Sequence, residues 1–143
     1  MPGLINDLGS NSLSAVLLPP QSLAASANGP TVDTALASHP LSLVVVLGAI
    51  TGTAPTLDVR LQESDTAVAG TYTDVPGGAF RQIVAADAGT MVFAYVKKST
   101  KRFVRAAAVV AGTAPAILAS VALYAQARNV GNPDTKGFAV SPA

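Results

Sequence analysis

Apolar residues in this chain fall into extended runs and two-residue alternations, and no segment shows a convincing amphipathic-helix period. The clearest alternation is residues 56–63: Leu57, Val59 and Leu61 share one face, and Asp58, Arg60 and Gln62 share the other. That is the signature of a half-buried strand, because successive strand side chains point to opposite sides of a sheet. Residues 41–47 (Leu-Ser-Leu-Val-Val-Val-Leu) are almost continuously apolar, which predicts a central strand buried on both faces. Residues 90–96 are rich in β-branched and aromatic side chains and read as another strand. Residues 103–111 and 116–126 read as two more, the second with Ile117, Ala119, Val121 and Leu123 on one face.

One four-residue phrase punctuates these runs twice, as Gly52-Thr53-Ala54-Pro55 and Gly112-Thr113-Ala114-Pro115. Each copy lies between two strand-like runs, so each is expected to be the turn of a hairpin, one over 41–63 and one over 103–126. These two hairpins are expected to hold most of the core, packed face to face. Shorter elements surround them. Residues 15–18 form an edge strand stopped by Pro19-Pro20, since proline cannot donate to a ladder. Asn28-Gly29 predicts the turn of a hairpin over 22–35, because both residues tolerate positive φ. Ser38-His39-Pro40 is a break, 71–75 a brief strand ended by Pro76-Gly77-Gly78, and 80–85 a further strand. Ala86-Asp87-Ala88-Gly89 is a turn, and Lys97 to Arg102 is a basic hairpin tip.

Many strands at short spacing predict an all-β fold, an antiparallel β-sandwich or jelly-roll-like domain over residues 15–128. Residues 1–14 are an extended N-terminal arm and 129–143 an unpatterned C-terminal tail. The rival for 116–128 is a helix, favoured by its alanines and by Pro115, which fits a first helical turn.

Composition narrows the function classes. The chain has 143 residues, enough for one domain with a sizeable core, and half of them are hydrophobic, with few aromatics. Only 12% are charged and the net charge is +1, which gives no reason to expect a nucleic-acid partner. So few charges on so apolar a chain favour life in an assembly that covers much of the surface. The absence of cysteine removes disulfides and thiolate ligands. The N-terminus lacks the basic start and apolar core of a signal peptide. Residues 106–127 are uncharged and long enough to span a bilayer, but Gly112 and Pro115 would break a helix there, so no membrane partner is expected.

Candidate chemistry is sparse. His39 is the only histidine and sits in a break with no ligand at metal spacing, a loop residue rather than a site. Asp58, Glu63, Asp65 and Asp74 cluster in sequence, but their spacing matches no metal loop, and they read as a solvated face. Asp58 and Arg60, two apart on the same strand face, are expected to pair across the sheet. The basic tip has no interleaved aromatic and reads as a solvated turn guarding an edge. Gly77-Gly78 and Gly48 form no phosphate-binding fingerprint. No catalytic, metal or cofactor residue is assigned, no small-molecule substrate is expected, and an enzyme is not expected.

Two phrases carry a family resemblance. Leu57-Asp58-Val59-Arg60-Leu61-Gln62-Glu63-Ser64 followed by Tyr72-Thr73-Asp74-Val75-Pro76-Gly77-Gly78-Ala79-Phe80 resembles a phrase of small head-associated proteins of tailed bacteriophages. Lys101-Arg102-Phe103-Val104-Arg105-Ala106, with the following GTAP and final strand, resembles a second phrase of the same family. The resemblance covers roughly residues 22–126, and the C-terminal tail departs from it. It implies a β-sandwich decoration or cement protein on a virion capsid surface. The implied partners are the major capsid protein and neighbouring copies of this chain, in a homo-oligomeric assembly. The alternative is a carbohydrate- or receptor-binding β-sandwich module of a phage fibre or tail, against which stands the absence of tryptophan from a chain with three Tyr and four Phe.

Overall fold

The computed structural model describes residues 12–97 and 100–127. Eight strands form one antiparallel sheet: β1 (Ser12–Leu23), β2 (Ala27–Asn28), β3 (Val32–Asp33), β4 (Ala37–Ser64), β5 (Thr73–Ala79), β6 (Ile83–Val84), β7 (Met91–Val96) and β8 (Phe103–Ala127). Only two short 3-10 turns, Ala69–Thr71 and Ala85–Asp87, interrupt the β character among the described residues.

The two long strands dominate. β4 and β8 pair from Ala37 opposite Ala127 to Ser64 opposite Phe103. Both GTAP phrases lie inside these strands, and Thr53 faces Thr113. The two expected hairpins therefore do not form, and their arms pair with each other instead. Glycine at positive φ serves a bend within a strand as well as it serves a turn. Gly52 and Gly112 lie at φ 113 and 115, while Ala54 and Ala114 both lie at φ 48. The ladder changes register on either side of Thr53, as a bulged bend requires.

Chain reach shows how sharply the ribbon bends. Val96 pairs with Leu41, and Phe103 pairs with Ser64. The roughly seven peptide steps from Val96 to Phe103 span at most about 25 Å. A straight β4 would separate Leu41 from Ser64 by about 75 Å. The β4–β8 ribbon must double back at the GTAP phrases, giving two layers. The first layer contains β1, residues 116–127 of β8, residues 37–51 of β4, and β7. The second contains β2 and β3, residues 103–111 of β8, residues 56–64 of β4, and β5 with β6. This is the expected sandwich, built from one folded sheet rather than two hairpins.

Between the layers lies one core. Leu43, Val45 and Leu47 from the first layer join Leu57, Val59 and Leu61 from the second, with Ile117 and Val121 from β8. Arms 41–63 and 103–126 hold most of this core, as the apolar runs predict. Small residues on β8, such as Ala106, Ala108 and Ala119, are buried as well and let the layers approach closely.

Several shorter elements differ from the sequence reading. Asn28-Gly29 is not a hairpin turn: β2 and β3 both pair with β8, and the Gly29 N–H donates to the Ala106 carbonyl at 2.8 Å. Glycine is required there because a β-carbon would lie 1.6 Å from the Leu17 carbonyl oxygen. β1 is an edge strand as expected, but it continues through Pro19-Pro20 with a register shift between Leu18 and Gln21. Ser38-His39-Pro40 lies within β4, and Pro76-Gly77-Gly78 within β5. Of the predicted 80–85 strand only Ile83–Val84 is one. Segment 116–127 is strand, not helix, because it pairs with β1 on one side and β4 on the other. β7 pairs with residues 41–46 of β4 and Phe103 with Ser64, so β7 and β8 are not the two arms of the expected basic hairpin; Lys98 and Ser99 of its expected tip are outside the described residues. Residues 1–11 of the expected arm and the whole 129–143 tail also lie outside them, while Ser12 to Ser14 belong to β1.

Candidate functional site

The charged positions singled out in the sequence are not gathered into a site. The Asp58 carboxylate accepts from Gln82 Nε2 at 3.2 Å, and Glu63 Oε1 accepts from the Lys101 backbone N–H at 2.9 Å. Asp65 lies 3.6 Å from Lys101 Nζ. Asp74 accepts from Arg60 Nη1 at 3.1 Å and from Gln62 Nε2 at 3.0 Å, and these two bonds hold its carboxyl below the usual range, the Gln62 bond having the larger effect. Asp58 and Arg60 thus each bond across to a different segment. Among the described residues, no group of three His, Cys, Asp or Glu comes together. Of the basic segment, Arg102 grips Asp33 with two bonds, Nε to Oδ1 at 3.0 Å and Nη2 to Oδ2 at 2.8 Å. Lys97 is exposed beside β7.

These contacts tie together the outer face of the second layer. Arg105 Nε donates to Gln62 Oε1 at 3.0 Å, and its guanidinium lies 4.2 Å above the Tyr72 ring. The Tyr72 hydroxyl in turn bonds the Thr31 hydroxyl at 2.6 Å. Tyr72, Asp74, Gln62, Arg60 and Arg105, all within the phrases that carry the family resemblance, form one polar web there. Their contacts tie β4, β5 and β8 side by side.

The first layer has the opposite character. None of its strand segments, 12–23, 37–51, 91–96 and 116–127, contains Asp, Glu, Lys or Arg. Among the described residues, charged side chains sit on the second layer or in connecting segments. Pairing sets the outward side chains in rows across the strands. Tyr95, Ser42, Tyr124 and Ser14 make one row, and Phe93, Val44, Ala122 and Val16 the next. Met91, Val46 and Ser120 make a third. Phe93 is 70% exposed, and Met91, Tyr95, Tyr124 and Val16 are all at least half exposed. Val44, in the middle of this face, is only 5% exposed.

An antiparallel sheet with one face on a core normally turns polar residues outward. This layer does not. The sequence predicts burial on both faces for 41–47: Val44 is indeed buried on the outer side by its neighbours within the chain, while Ser42 is only partly covered and Val46 stays 44% exposed. The signal for this surface was present as four uncharged segments, but their common layer becomes visible only through strand pairing.

A shallow cleft of about 300 Å³ opens where the layers meet at one edge, lined by Pro76, Gly77, Tyr95 and Lys97. Its one aromatic, Tyr95, belongs also to the apolar face. No helix among the described residues is long and apolar enough to cross a membrane.

No protein-family model matches the chain, and no curated protein does. Among solved structures, the SPBc2 prophage-derived protein YomS is similar in outline, with a TM-score of 0.43 and 10% identity over 82% of this chain and 94% of that one. A structure of the Gx strain of infectious bursal disease virus has a TM-score of 0.28 and 11% identity, covering 87% of this chain and 41% of that one. One neighbour is thus prophage-derived and the other viral, but both scores lie below 0.5, and nothing about the function of this chain follows from either.

Proposed function

We propose that this chain is a structural virion protein that binds the surface of a capsid shell and cements neighbouring subunits. The observation that carries this reading is the uncovered, uncharged outer face of the first layer, a surface suited to a building block rather than to a free monomer. The resemblance of 57–64, 72–80 and 101–106 to head-associated phage proteins supplies the kind of assembly. A cement protein needs rigidity and contact area, not turnover. The folded β4–β8 ribbon gives the first, since each layer is stitched to the other by two continuous strands. Its broad faces and edges give the second.

The test is direct. Purified protein is mixed with phage heads assembled without it, and occupancy is followed by sedimentation and cryo-EM. Saturable binding at repeated shell positions, with heads that then survive heat or osmotic shock longer, is the expected result. Absence of binding to such heads would remove the proposal. Carbohydrate binding, the alternative, has Tyr95 beside the Pro76–Lys97 cleft in its favour. Glycan-array binding lost in Tyr95→Ala would move the assignment there.

A further inference from the structure

We infer that the outer face of the first layer is where a second copy of this chain packs, sheet against sheet about a two-fold axis, before any shell is met. This goes beyond the shell-binding reading and does not depend on it. Three features of the face point to a second copy.

The first is charge. The strand rows of the face contain no charged side chain, and the charge beside them, Lys97, lies at the rim next to Tyr95, so the centre of the face offers no electrostatic handle to a charged partner and meets no like-charge repulsion from itself. A two-fold contact places one patch against the same patch, which an uncharged surface tolerates and a single-sign surface does not. The second is chemistry. Aromatic and methionine side chains without charge make up the typical core of a protein interface, with polar groups at its rim. Here the fully apolar row of Phe93, Val44, Ala122 and Val16 is flanked by a row bearing the hydroxyls of Tyr95, Ser42, Tyr124 and Ser14. The third is size. The layer's strand segments hold about 45 residues, and at roughly 3.3 by 4.8 Å each they present about 700 Å² in plan, before side-chain relief is added. A stable interface needs about 800 Å² of accessible surface from each partner.

The relief of the central row also fits itself. Phe93 stands tall, and Ala122, two strands away at about 10 Å, is short. A two-fold axis along the strands and over Val44 sets Phe93 of each copy above Ala122 of the other; this pose overlaps β7, β4 and β8, roughly 500 Å² of the plan area, and leaves β1 of each copy at the rim. Two sheets packed so would lie about 10 Å apart, as in a sandwich.

The experiment is the mass of the isolated full-length protein, without heads, by light scattering and sedimentation across about 1–100 µM, a range set by the affinities such interfaces reach. Wild type is expected at two chains. Phe93→Lys is expected to weaken the dimer roughly 30-fold or more, as loss of a central aromatic anchor does, with unchanged far-UV circular dichroism because Phe93 is exposed. Val109→Lys, on the outer face of the second layer, is the control and should leave the dimer intact. A wild-type mass other than two chains, or a dimer that survives Phe93→Lys, overturns the inference. If wild type is monomeric yet its binding to heads is lost in Phe93→Lys, the face belongs to the shell instead, and the shell-binding reading stands while this one falls.

Discussion

A β-carbon on Gly52 would stand 2.7 Å from the carbonyl oxygen of Ala114, and one on Gly112 would stand 2.8 Å from that of Ala54. The two phrases cross at one point, each glycine fitted under the backbone of the other copy. Both glycines also lie at positive φ beyond the left-handed helical region, where side-chain-bearing residues are strained. Gly52→Ala and Gly112→Ala are each expected to destabilise the fold by about 2–4 kcal/mol, combining backbone strain with overpacking. Ala54→Gly and Ala114→Gly, at φ 48, relieve strain but add chain entropy, and should change stability by less than about 1 kcal/mol. Urea unfolding midpoints of the four variants distinguish a bend of this kind from an ordinary loop, which would tolerate all of them.

Gly29 fastens an edge of the second layer against the first, because its α-carbon meets the Leu17 backbone while its N–H bonds Ala106. Gly29→Ala has no room without displacing β1 or β2. It should cost more than an ordinary turn substitution, about 2 kcal/mol or more. Amide exchange near Leu17 and Ala106 should rise together, and unchanged protection at both would contradict this view of the edge.

Asp87 is the most acid-shifted carboxylate of the described residues. Its oxygens receive Arg81 Nη2 at 2.8 Å and Nη1 at 3.0 Å, and the Val84 N–H bonds it at 2.9 Å. Chiefly the Arg81 bonds, and then the backbone bond, lower its pKa to about 2. The unfolded chain has the ordinary value of about 3.9. The folded pKa is therefore depressed, so the stabilisation is fully present above about pH 4 and is lost as pH falls through about 2. Asp33 and Asp74 are shifted in the same direction and add to the loss. Thermal melts between pH 2 and 5 should show Asp87→Asn well below wild type at pH 5 and close to it at pH 2. A constant gap across that range would exclude the linkage.

Ser64 is fully buried at the end of β4, where its hydroxyl bonds the Thr71 hydroxyl and accepts the Thr66 N–H at 3.1 Å. It closes the loop that leads to β5. Ser64→Ala should cost about 1–2 kcal/mol in chemical denaturation, the usual penalty for stranding such partners. It should also speed proteolysis between residues 65 and 72, while leaving the mass of the isolated protein unchanged.

Much of this fold is legible along the chain. Leu57, Val59 and Leu61 face inward where their alternation places them, as do Ile117, Val121 and Leu123. Met91–Val96 is a strand because β-branched and aromatic side chains suit a pleated surface. The tightest turn signal, Asn28-Gly29, misleads because the same glycine that permits a turn also permits close backbone approach, and only the presence of Leu17 tells the two apart. The candidate surface was hidden for a similar reason. Phe93, Tyr124 and Val16 are far apart in sequence and become neighbours only when β7, β4, β8 and β1 are laid side by side.

The sequence by itself determined that this protein is all-β, which positions face its core, and that its two GTAP phrases are equivalent. These are local matters, since side-chain alternation and backbone permissiveness are properties of a few consecutive residues. Tertiary structure alone decided that the phrases cross each other instead of closing hairpins, and that the charges of the described chain are kept off one layer. Those depend on which strand lies beside which, a choice made between residues up to about 90 positions apart, such as Ala37 and Ala127, by the pairing of whole strands around a shared core.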